Sequence, residues 1–568
     1  MMKKNETYVP GRNRFSTSFR ILKIIKIFIL FLIFVIENVS ADIMNTQQSL
    51  TISGKVTDSS NIPIPSVTVV IKGTTQGTIT DDKGNYLISN VPKDGMLVFS
   101  FVGMETQEVA VNNQTNINVR MAEDSKLIDE VVIVGYGIQK RSDVIGSVSQ
   151  ISAEKINHRT TPQLSQALTG QFAGVSIIQR SGLPGAPGGG IQIRGVGSFG
   201  AGTAPLILVD GLPVGNYNDI DPNDVENISV LKDASSAAIY GSRAANGVIL
   251  ITTKSGKSEE INVSYNAHFG VQKPTNLPIF VNSWEYAELL NEATGGGAGG
   301  YTAEEIQKFK DGSDPDNYPN VDYIDEIIKK SSIQTGHNIS ISQKKDNIQY
   351  LVSLGYLYQN GIIDENNYNR YNMRINLTAK LNSNLTLTTN LSGVQVIDNQ
   401  PHTPGSIPGN AKGTLGIINW SLRYPNIYPA VLSNGDFGVG LAGVGTPVSL
   451  LASDGFYKDR STDLNGNTRL DWNILENLKF SLIGGYTQLN GRNDLFEATQ
   501  RLNDNIFVGP SNLSVSHRYN TYKTLQQLLE YSKAIGNNRF DILVAHSFED
   551  YYNENTNASR LDFPSNDI

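Results

Sequence analysis

The feature that most constrains the fold is a series of strand-length segments after residue 260 in which apolar and polar residues alternate. In "INVSYNAHFGV", residues 261–271, the odd positions are apolar and the even positions are polar or glycine. "NMRINLTAKL", residues 372–381, repeats the pattern. Because successive side chains of a strand point to opposite faces, each segment has one apolar face and one polar face.

Strands of about ten residues with this alternation are typical of transmembrane β-barrels, in which short turns alternate with longer loops. Asp346-Asn347 and Asn382-Ser383-Asn384 predict short turns, and the polar stretch from Gln400 to Gly466 predicts a long loop. The alternative is a large soluble β-protein in which each sheet has one solvated face.

The number of these segments predicts an incomplete barrel. Counting strands after Ile261 gives roughly nine. Five of them have looser alternation: "IQYLVSLGYLY", "NLTLTTNLSG", "TRLDWNI", "KFSLIGGY" and "RFDILVAHSF". A sheet that spans a membrane must close, because lipid cannot satisfy the backbone groups of an open edge. We therefore expect residues 260–568 to be the N-terminal part of an antiparallel transmembrane β-barrel.

The first 41 residues predict a signal peptide. Lys23 and Lys26 provide positive charge around the apolar run 24–36, and Val39-Ser40-Ala41 offers small residues for cleavage. This run is too short to span a bilayer comfortably, which argues against the alternative of an uncleaved membrane anchor.

The composition excludes several classes of function. The chain has no cysteine, which excludes disulfides, thiolate metal sites and a lipid-anchored N-terminal cysteine. The net charge of −8 gives no reason to expect a nucleic-acid partner. The histidines lack ligand spacing, and neither a nucleophile elbow nor His-Glu-x-x-His is present, so we expect no metal site, no cofactor and no enzyme.

Residues 50–122 predict a small β-sandwich, because short strands alternate with turn signals. Asp82–Asn85 and Pro92–Gly95 are interpreted as hairpin turns. This segment resembles the carboxypeptidase-regulatory-like domain, a transthyretin-like sandwich, which implies a module without catalytic activity. The resemblance rests on these residues: Gly54, Lys55, Val56, Asp58, Pro65, Val67, Val69, Thr80, Asp81, Gly84 and Tyr86.

Residues 140–256 predict a mixed α/β domain. Strands are expected at 174–179, 191–194, 206–209, 228–231 and 248–253, and short helices at 163–168 and 234–240. Asp221 is expected to cap a one-turn helix that starts at Pro222. "GAPGGG", residues 185–190, is not a phosphate-binding loop, because it lacks the Gly-Lys-Ser/Thr ending and leads into a strand.

Between these two domains, "DEVVIVGYG" predicts a β-strand in a linker at 127–138, since Val131–Val134 is a β-branched run. No local strand partner is evident. We expect a partner protein to pair with it; the alternative is an edge strand of the preceding sandwich.

The order of these parts resembles the SusC/RagA family of TonB-linked outer-membrane transporters, whose barrels have about twenty-two strands. "IRGVGS", "LILVDGLPV" and "VENISVLKDASSAAIYGSRAANGVILITTKSG" are similar to the family's plug motifs. The resemblance implies a multidomain chain: an all-β sandwich, an α/β plug domain, and about nine of the barrel strands.

The resemblance also assigns site residues. The linker strand is similar to the family's TonB box: Asp129, Glu130, Val131, Val132, Ile133, Val134, Gly135, Tyr136 and Gly137. The plug motif comprises Arg194, Gly195, Asp210, Gly211, Lys232, Asp233, Tyr240, Gly241, Arg243 and Gly247.

The implied function is active import of a large nutrient, an oligosaccharide or peptide, across the outer membrane. The implied partners are TonB with ExbB and ExbD, a SusD-like surface lipoprotein, and outer-membrane lipid. The alternatives are a siderophore or iron-chelate receptor, a receptor that signals to a transcription regulator, and a surface-binding protein that does not transport.

Two sets of residues have open roles. The charged plug residues are expected either to pair with the barrel wall and release during transport, or to form solvated plug surface: Arg194, Asp210, Lys232, Asp233 and Arg243. Four aromatic residues are expected to stack on sugars or, alternatively, to pack loops or anchor the rim: Tyr217, Trp420, Tyr424 and Tyr428.

Overall fold

The computed structural model describes residues 49–568 except 60, 75, 102–103, 123–130, 135–136, 141–146, 158–160, 180, 187–189, 199–201, 298, 403–412, 441–444 and 537. The chain divides into two compact units, Met1–Glu130 and Val131–Ile568. The predicted signal peptide lies outside the described residues, as do Asp129, Glu130, Gly135 and Tyr136 of the predicted TonB box.

The first unit is a β-sandwich, as predicted. Its strands are β1 (Ser49–Thr57), β2 (Thr68–Ile71), β3 (Gly77–Ile79), β4 (Asn85–Pro92), β5 (Met96–Ser100), β6 (Gln107–Ala110) and β7 (Val119–Arg120). One sheet has the order β4-β1-β7 and the other β3-β2-β5-β6. Ile52, Val69, Leu97 and Phe99 are fully buried between them, which is the expected core of two facing sheets.

The two turns predicted as hairpins are turns of another kind. Asp81 Oδ1 accepts hydrogen bonds from the backbone of Lys83 (2.9 Å) and Asn85 (2.7 Å), which closes the first turn. However, β3 and β4 belong to different sheets, and so do β4 and β5. Both turns therefore carry the chain from one sheet to the other, and the hairpin interpretation was wrong.

The second unit begins with the predicted plug domain. Its strands are β8 (Val131–Val134), β9 (Gly137–Lys140), β10 (Val148–Ser152), β11 (Val175–Ile177), β12 (Ile191–Ile193), β13 (Leu206–Val209), β14 (Leu212–Pro213), β15 (Val225–Leu231) and β16 (Val248–Thr253). Its helices are α1 (Ala153–Asn157), α2 (Leu164–Leu168) and α3 (Ala234–Ala237), with 3-10 turns at Tyr217–Asp219, Pro222–Asp224 and Ala238–Ala244.

The plug sheet is organised around β16. The strand order is β10-β15-β16-β13-β14, and β16 runs antiparallel to β15 and parallel to β13. Five of the six residues of β16 are buried, as expected for a central strand covered on both faces. The predicted strands at 206–209 and 248–253 match to the residue, and the strand predicted at 228–231 begins three residues earlier, at Val225.

The predicted linker strand exists, but the expectation that it lacks a local partner was wrong. β8 pairs antiparallel with β9 in a short hairpin, with Val131 opposite Lys140 and Val134 opposite Gly137. Among the described strands, β9 is its only ladder partner.

The remainder of the second unit is built on a nine-stranded antiparallel sheet, as the strand count predicted. Its strands are β17 (Asn262–Gln272), β18 (Ser332–Lys345), β19 (Ile348–Asn360), β20 (Asn367–Lys380), β21 (Leu385–Pro401), β22 (Phe456–Leu475), β23 (Leu478–Glu497), β26 (Asn512–Ile535) and β27 (Asn538–Leu561). Two short strands, β24 (Gln500–Arg501) and β25 (Phe507–Val508), form a separate hairpin in a loop.

The sheet is apolar on its exposed face and polar on its covered face, the reverse of a soluble sheet. Val263 and Phe269 are 61% and 70% exposed, whereas Asn372, Arg374 and Asn376 are buried against the plug domain. This inversion is expected where the outer solvent is hydrocarbon.

The strands are longer than predicted, reaching 24 residues in β26 and β27. The strand β22 begins at Phe456, inside the stretch predicted as loop, and no segment of β18 or β26 was named among the predicted strands. In β22, the outward apolar residues extend from Leu464 to the short turn after Leu475. At about 3.3 Å per residue and a tilt near 45°, this segment spans roughly 25 to 30 Å, the thickness of the apolar band of a barrel.

Helices occur in the loops opposite the short turns. They are α4 (Ser283–Thr294), α5 (Ala303–Asp311), α6 (Tyr323–Ile327), α7 (Gly413–Ser421) and α8 (Pro447–Leu451). Thr302 and Glu305 form a capping box at the start of α5, and Gly312 ends it in the left-handed conformation. Within the described part of the chain, no helix is both long enough and apolar enough to cross a bilayer.

Candidate functional site

The predicted plug motif contains a tight turn that fixes one carboxylate. Asp210 and Gly211 both have positive φ, 49° and 91°, between the paired residues Val209 and Leu212. Two positive φ angles in a two-residue hairpin loop define a type I′ turn, for which Asp-Gly is a preferred sequence. The Asp210 carboxylate accepts hydrogen bonds from the backbone NH (2.9 Å) and hydroxyl (2.7 Å) of Thr253, so its position is set within the plug.

The predicted cap at Asp221 is present and places two more carboxylates nearby. Asp221 Oδ1 accepts a hydrogen bond from Asn223 N at 2.9 Å, at the start of the 3-10 turn Pro222–Asp224. Asp224, in the last position of that turn, is 4% exposed. The short helix thus presents Asp221 and Asp224 to the barrel wall.

Arg374 of β20 lies between these carboxylates. Its Nη1 is 3.2 Å from Asp210 Oδ2, and its Nε is 3.6 Å from Asp224 Oδ2. Two polar side chains of the wall complete the contacts: Asn338 Nδ2 donates to Asp221 Oδ2 at 2.9 Å, and Ser353 Oγ donates to Asp224 Oδ1 at 2.6 Å. We call these six residues the arginine cluster.

The arginine cluster contains three carboxyl groups and one guanidinium, and the guanidinium contacts two of the three, Asp210 and Asp224. Burial raises the pKa of Asp224, the neighbouring Asp221 raises it further, and Arg374 opposes both effects. Since buried charges require partners, Arg374 is the group on which the other charges depend.

Strand β20 continues this contact along its inward face. Arg370 Nη1 donates to the carbonyl of Asn218 (2.6 Å), Asn372 Nδ2 to that of Asp219 (2.5 Å), and Asn376 Nδ2 to that of Lys254 (2.7 Å). With Arg374, four successive inward side chains of one strand therefore bind the plug.

The Asp219 carboxyl is itself buried at this contact. Burial raises its pKa to about 6, against the opposing effect of the nearby Arg370 guanidinium.

The five charged plug residues divide into two groups. Asp210 pairs with the barrel as described, and Arg243 pairs with Glu549 of β27 through two hydrogen bonds of 2.8 and 2.9 Å. These two residues meet the expectation of contacts to the wall.

The other three charged residues bond within the plug. Arg194 Nη1 is 2.6 Å from Asp233 Oδ1, and Lys232 Nζ donates to the carbonyl of Ala173 at 2.5 Å. A hydrogen bond from Ser147 N and the Arg194 guanidinium lower the pKa of Asp233. Of the two alternatives for these charged residues, pairing with the barrel wall does not hold for Arg194, Lys232 and Asp233, which have partners within the plug.

Two of the motif glycines are needed because one adopts a backbone conformation that other residues avoid and the other packs too closely for a side chain. Gly241 has φ 62° and ψ −147°, a region essentially restricted to glycine. A Cβ at Gly247 would lie 2.7 Å from Ile193 Cδ1. Tyr240 is buried in the plug core, and Arg194 and Gly195 both have positive φ.

The four aromatic residues do not form an open stacking surface. Tyr217, Trp420 and Tyr424 are 6–8% exposed. Trp420 and Tyr424 pack edge to face, and Tyr428 continues the row. Tyr217 lies in the plug core and the other three in the loop-helix cluster, which confirms the packing interpretation.

Sequence reasoning missed most of this site. Asp219, Asp224, Arg370 and Arg374 were not selected, although the polar face of "NMRINLTAKL" contains Arg374. A charged residue on the inward face of a barrel strand is the signal that could have identified it. Among the described residues, no group of three or more His, Cys, Asp and Glu side chains is arranged to hold a metal ion.

Two regions match known domain families. Residues 52–133 match the CarboxypepD_reg-like domain, and residues 140–248 match the TonB-dependent receptor plug domain. The first match ends within strand β8, at Ile133, and the second begins at Lys140, the last residue of β9.

Relatives are similar over most of the chain. A TonB-dependent receptor of Formosa agariphila is 39% identical over 370 residues, 64% of this chain and 36% of that protein. The TonB-dependent receptor SusC of Bacteroides thetaiotaomicron is 31% identical over 545 residues, 88% of this chain and 50% of that protein. The chain thus spans between about a third and a half of the length of the curated relatives it matches.

A solved structure shares the fold of this chain over most of its length. The RagAB peptide importer in its open-open state aligns with a TM-score of 0.66 and 27% identity, over 77% of this chain and 51% of that chain. These relatives are receptors and transporters rather than enzymes. The sandwich, the plug with its turn motifs, the inverted nine-stranded sheet and these similarities together support a SusC/RagA-type TonB-dependent transporter.

Proposed function

We propose that this protein takes part in TonB-dependent import of a large nutrient, an oligosaccharide or a peptide, together with a SusD-like surface lipoprotein. The observation that carries the proposal is the chemistry of the plug–barrel contact. Arg374, Arg370 and Asn376 bind plug carboxylates, carbonyls and hydroxyls. Such groups can exchange their partners for water when the plug moves, at far lower cost than in a dry apolar interior.

The proposed point of energy input is the TonB box, residues 129–137. A strand with a free edge can accept a partner strand through main-chain hydrogen bonds. Pairing with TonB would either add a strand to the open edge of β8 or replace β9. Both arrangements need the backbone NH groups of Val131–Val134 and tolerate changes of side chain.

The proposed substrate class follows the named relatives. One is SusC and another is a peptide importer, so both oligosaccharide and peptide remain candidates. Relatives named as siderophore receptors each match only 23% of the chain. This difference in coverage favours the nutrient importer over the iron-chelate receptor.

The test is a proline substitution in the proposed TonB box. Ile133→Pro removes one ladder NH group and cannot lie inside a paired strand, whereas Ile133→Val keeps the backbone and the β-branched side chain. We expect Ile133→Pro to abolish growth on one glycan or peptide of a panel, at normal surface abundance. Ile133→Val should grow like the unmodified strain.

A pull-down with the C-terminal domain of TonB separates coupling from substrate. Capture of the unmodified protein and of Ile133→Val, but not of Ile133→Pro, supports the proposed contact. Equal capture of all three proteins, or of none, contradicts it. Growth that depends on iron chelates alone would replace the nutrient assignment with the siderophore alternative.

A further inference from the structure

The outward face of the barrel sheet contains a groove of about 380 Å³. It lies on the row formed by Leu354, Met373, Gly393 and Leu464, which are opposite one another on four adjacent strands. The three side chains of this row are 45–53% exposed. The volume is within the range of sites that hold small ligands.

The groove exists because a glycine occupies an outward position. Gly393 contributes no side chain to the row, whereas the space at Gly466, on the next row toward the short turns, is filled by Leu391, whose Cδ2 a Cβ at Gly466 would meet at 2.9 Å. A Cβ at Gly393 would meet Leu464 Cδ2 at 3.4 Å, an ordinary contact. A larger residue would therefore fit at position 393 and would fill the groove.

The polarity of the wall changes at one end of the groove. Toward the long loops, the next row contains Tyr371, Gln395 and Thr462. Toward the short turns, the outward side chains of β21 and β22 are mainly apolar down to Leu475, with the pair Thr389 and Thr468 among them. The groove thus lies at the loop-side boundary of the apolar band, and long loops are the extracellular side of such barrels.

Two cations lie beyond this boundary. Arg460 and Arg492 are directly opposite each other on β22 and β23, and both are exposed. Like charges at opposite positions destabilise a strand pair unless an anion lies between them. Lys458 points outward two residues farther on, and the carboxylate of Asp494 is 2.8 Å from Arg492 Nε. Three cations against one carboxylate leave this patch positive.

The spacing between groove and cations fits an amphipathic ligand. Four residues separate Leu464 from Arg460, which is about 10 Å along the membrane normal for a tilted strand. Hydrocarbon surrounds the groove and headgroups surround the arginines. A molecule that satisfies both must have an acyl chain and an anionic group about 10 Å above it.

From the groove and the arginine pair we propose that this surface binds a phosphorylated lipid of the outer leaflet. One acyl chain occupies the groove at Gly393, and the phosphate lies between Arg460 and Arg492. The inference is independent of the proposed import function, because lipid binding requires neither TonB nor nutrient.

The experiment is native mass spectrometry of the protein purified from outer membranes, delipidated, and titrated with phosphorylated lipid A. Dephosphorylated lipid A is the matched probe. We expect Gly393→Leu to weaken binding about tenfold, because the leucine side chain would displace about two methylene groups of the lipid's acyl chain from the groove. The Arg460→Gln, Arg492→Gln double variant should reduce binding of the phosphorylated probe to the level of the dephosphorylated one.

Matched controls test the position of the site. Gly484→Leu places the same side chain on the outward face outside the groove, where no atom lies within 4 Å. Lys533→Gln removes a cation at the opposite end of β26. Both should bind like the unmodified protein. Equal binding of the two probes, or unchanged binding by Gly393→Leu, would overturn the proposal. A change of oligomeric state in Gly393→Leu with unchanged lipid binding would also overturn it, because the groove would then contact a second copy.

Discussion

Substitution of Arg374 tests whether the plug is held by charge. Arg374→Met leaves Asp210 and Asp224 without their cation, and their side chains are only 10% and 6% exposed. Removing one partner of a buried ion pair costs about 3–5 kcal/mol, because the remaining charge stays desolvated. Here two carboxylates lose the same partner. We therefore expect the free energy for opening the plug to fall by at least about 3 kcal/mol.

Opening can be measured with a single cysteine. The chain has no native cysteine, and Ser229 of β15 is fully buried in the plug. Ser229→Cys is nearly isosteric, so maleimide labels it only when the plug opens. If closing is faster than labelling, a loss of about 3 kcal/mol accelerates labelling roughly 100-fold.

The control is a variant in which Arg374 and the two carboxylates it contacts are all replaced. Adding Asp210→Asn and Asp224→Asn to Arg374→Met should restore slow labelling, because neither carboxylate that lost its cation remains. Arg374→Lys keeps the charge and should label at an intermediate rate. Slow labelling of Arg374→Met would refute the reasoning. A triple variant that labels faster than Arg374→Met would show that shape, rather than charge, holds the plug.

Three further predictions concern single contacts. Arg243→Met and Glu549→Gln should each cost no more than about 1 kcal/mol, because the pair is partly exposed, and the double variant should cost no more than either in the labelling assay. Burial raises the pKa of Asp219 from 3.8 to about 6 in the folded plug, so ionisation of this carboxyl lowers the stability of the folded state as pH rises through this range. Asp219→Asn removes the ionisable group and should therefore stabilise the plug. The gain should approach about 3 kcal/mol at pH 7.5 and fall below about 1 kcal/mol at pH 4 in thermal unfolding, and a gain independent of pH would contradict this cause. Gly241→Ala should cost about 1–3 kcal/mol through backbone strain, whereas Gly215→Ala, at negative φ and with no atom within 4 Å, should be neutral in the same measurement.

Local signals predicted the plug sheet well. The strands at 206–209 and 248–253 were predicted to the residue, because each is an apolar run bounded by Asp-Gly or by Gly and Lys. The cap at Asp221 was predicted for the same reason: the preference of Asp before Pro at a helix start depends only on neighbouring residues.

Pairing between distant segments was not predictable in this way. A turn signal at Asp82–Asn85 shows that the chain reverses, but the sheet that receives the next strand depends on the whole sandwich. Asp210 and Arg374 are 164 residues apart, so nothing in either local sequence indicates their contact. The hairpin partner of β8 was missed because "GIQK" has little apolar periodicity.

The loop-side halves of the long strands were missed for a different reason. In Asn512–Lys523 the alternation of apolar and polar residues that marks a membrane strand covers only Leu513–Ser516, and it is lost in the mainly polar residues that follow. The structure shows that the ladder nevertheless continues to Asn512, paired with β23 and β27. Backbone hydrogen bonding to a preformed neighbour sustains these halves without an apolar face.

These polar halves have a consequence for the proposed import of a solute. Twelve residues of tilted strand raise the wall by roughly 25 to 30 Å above the hydrocarbon. One molecule inside a space of such dimensions is at an effective concentration in the millimolar range or above. A contact on the plug side can then be weak and still be occupied, and a weak contact releases its solute quickly. A solute can therefore be retained near the plug by confinement between the tall strand walls, and its affinity for the plug itself can stay low.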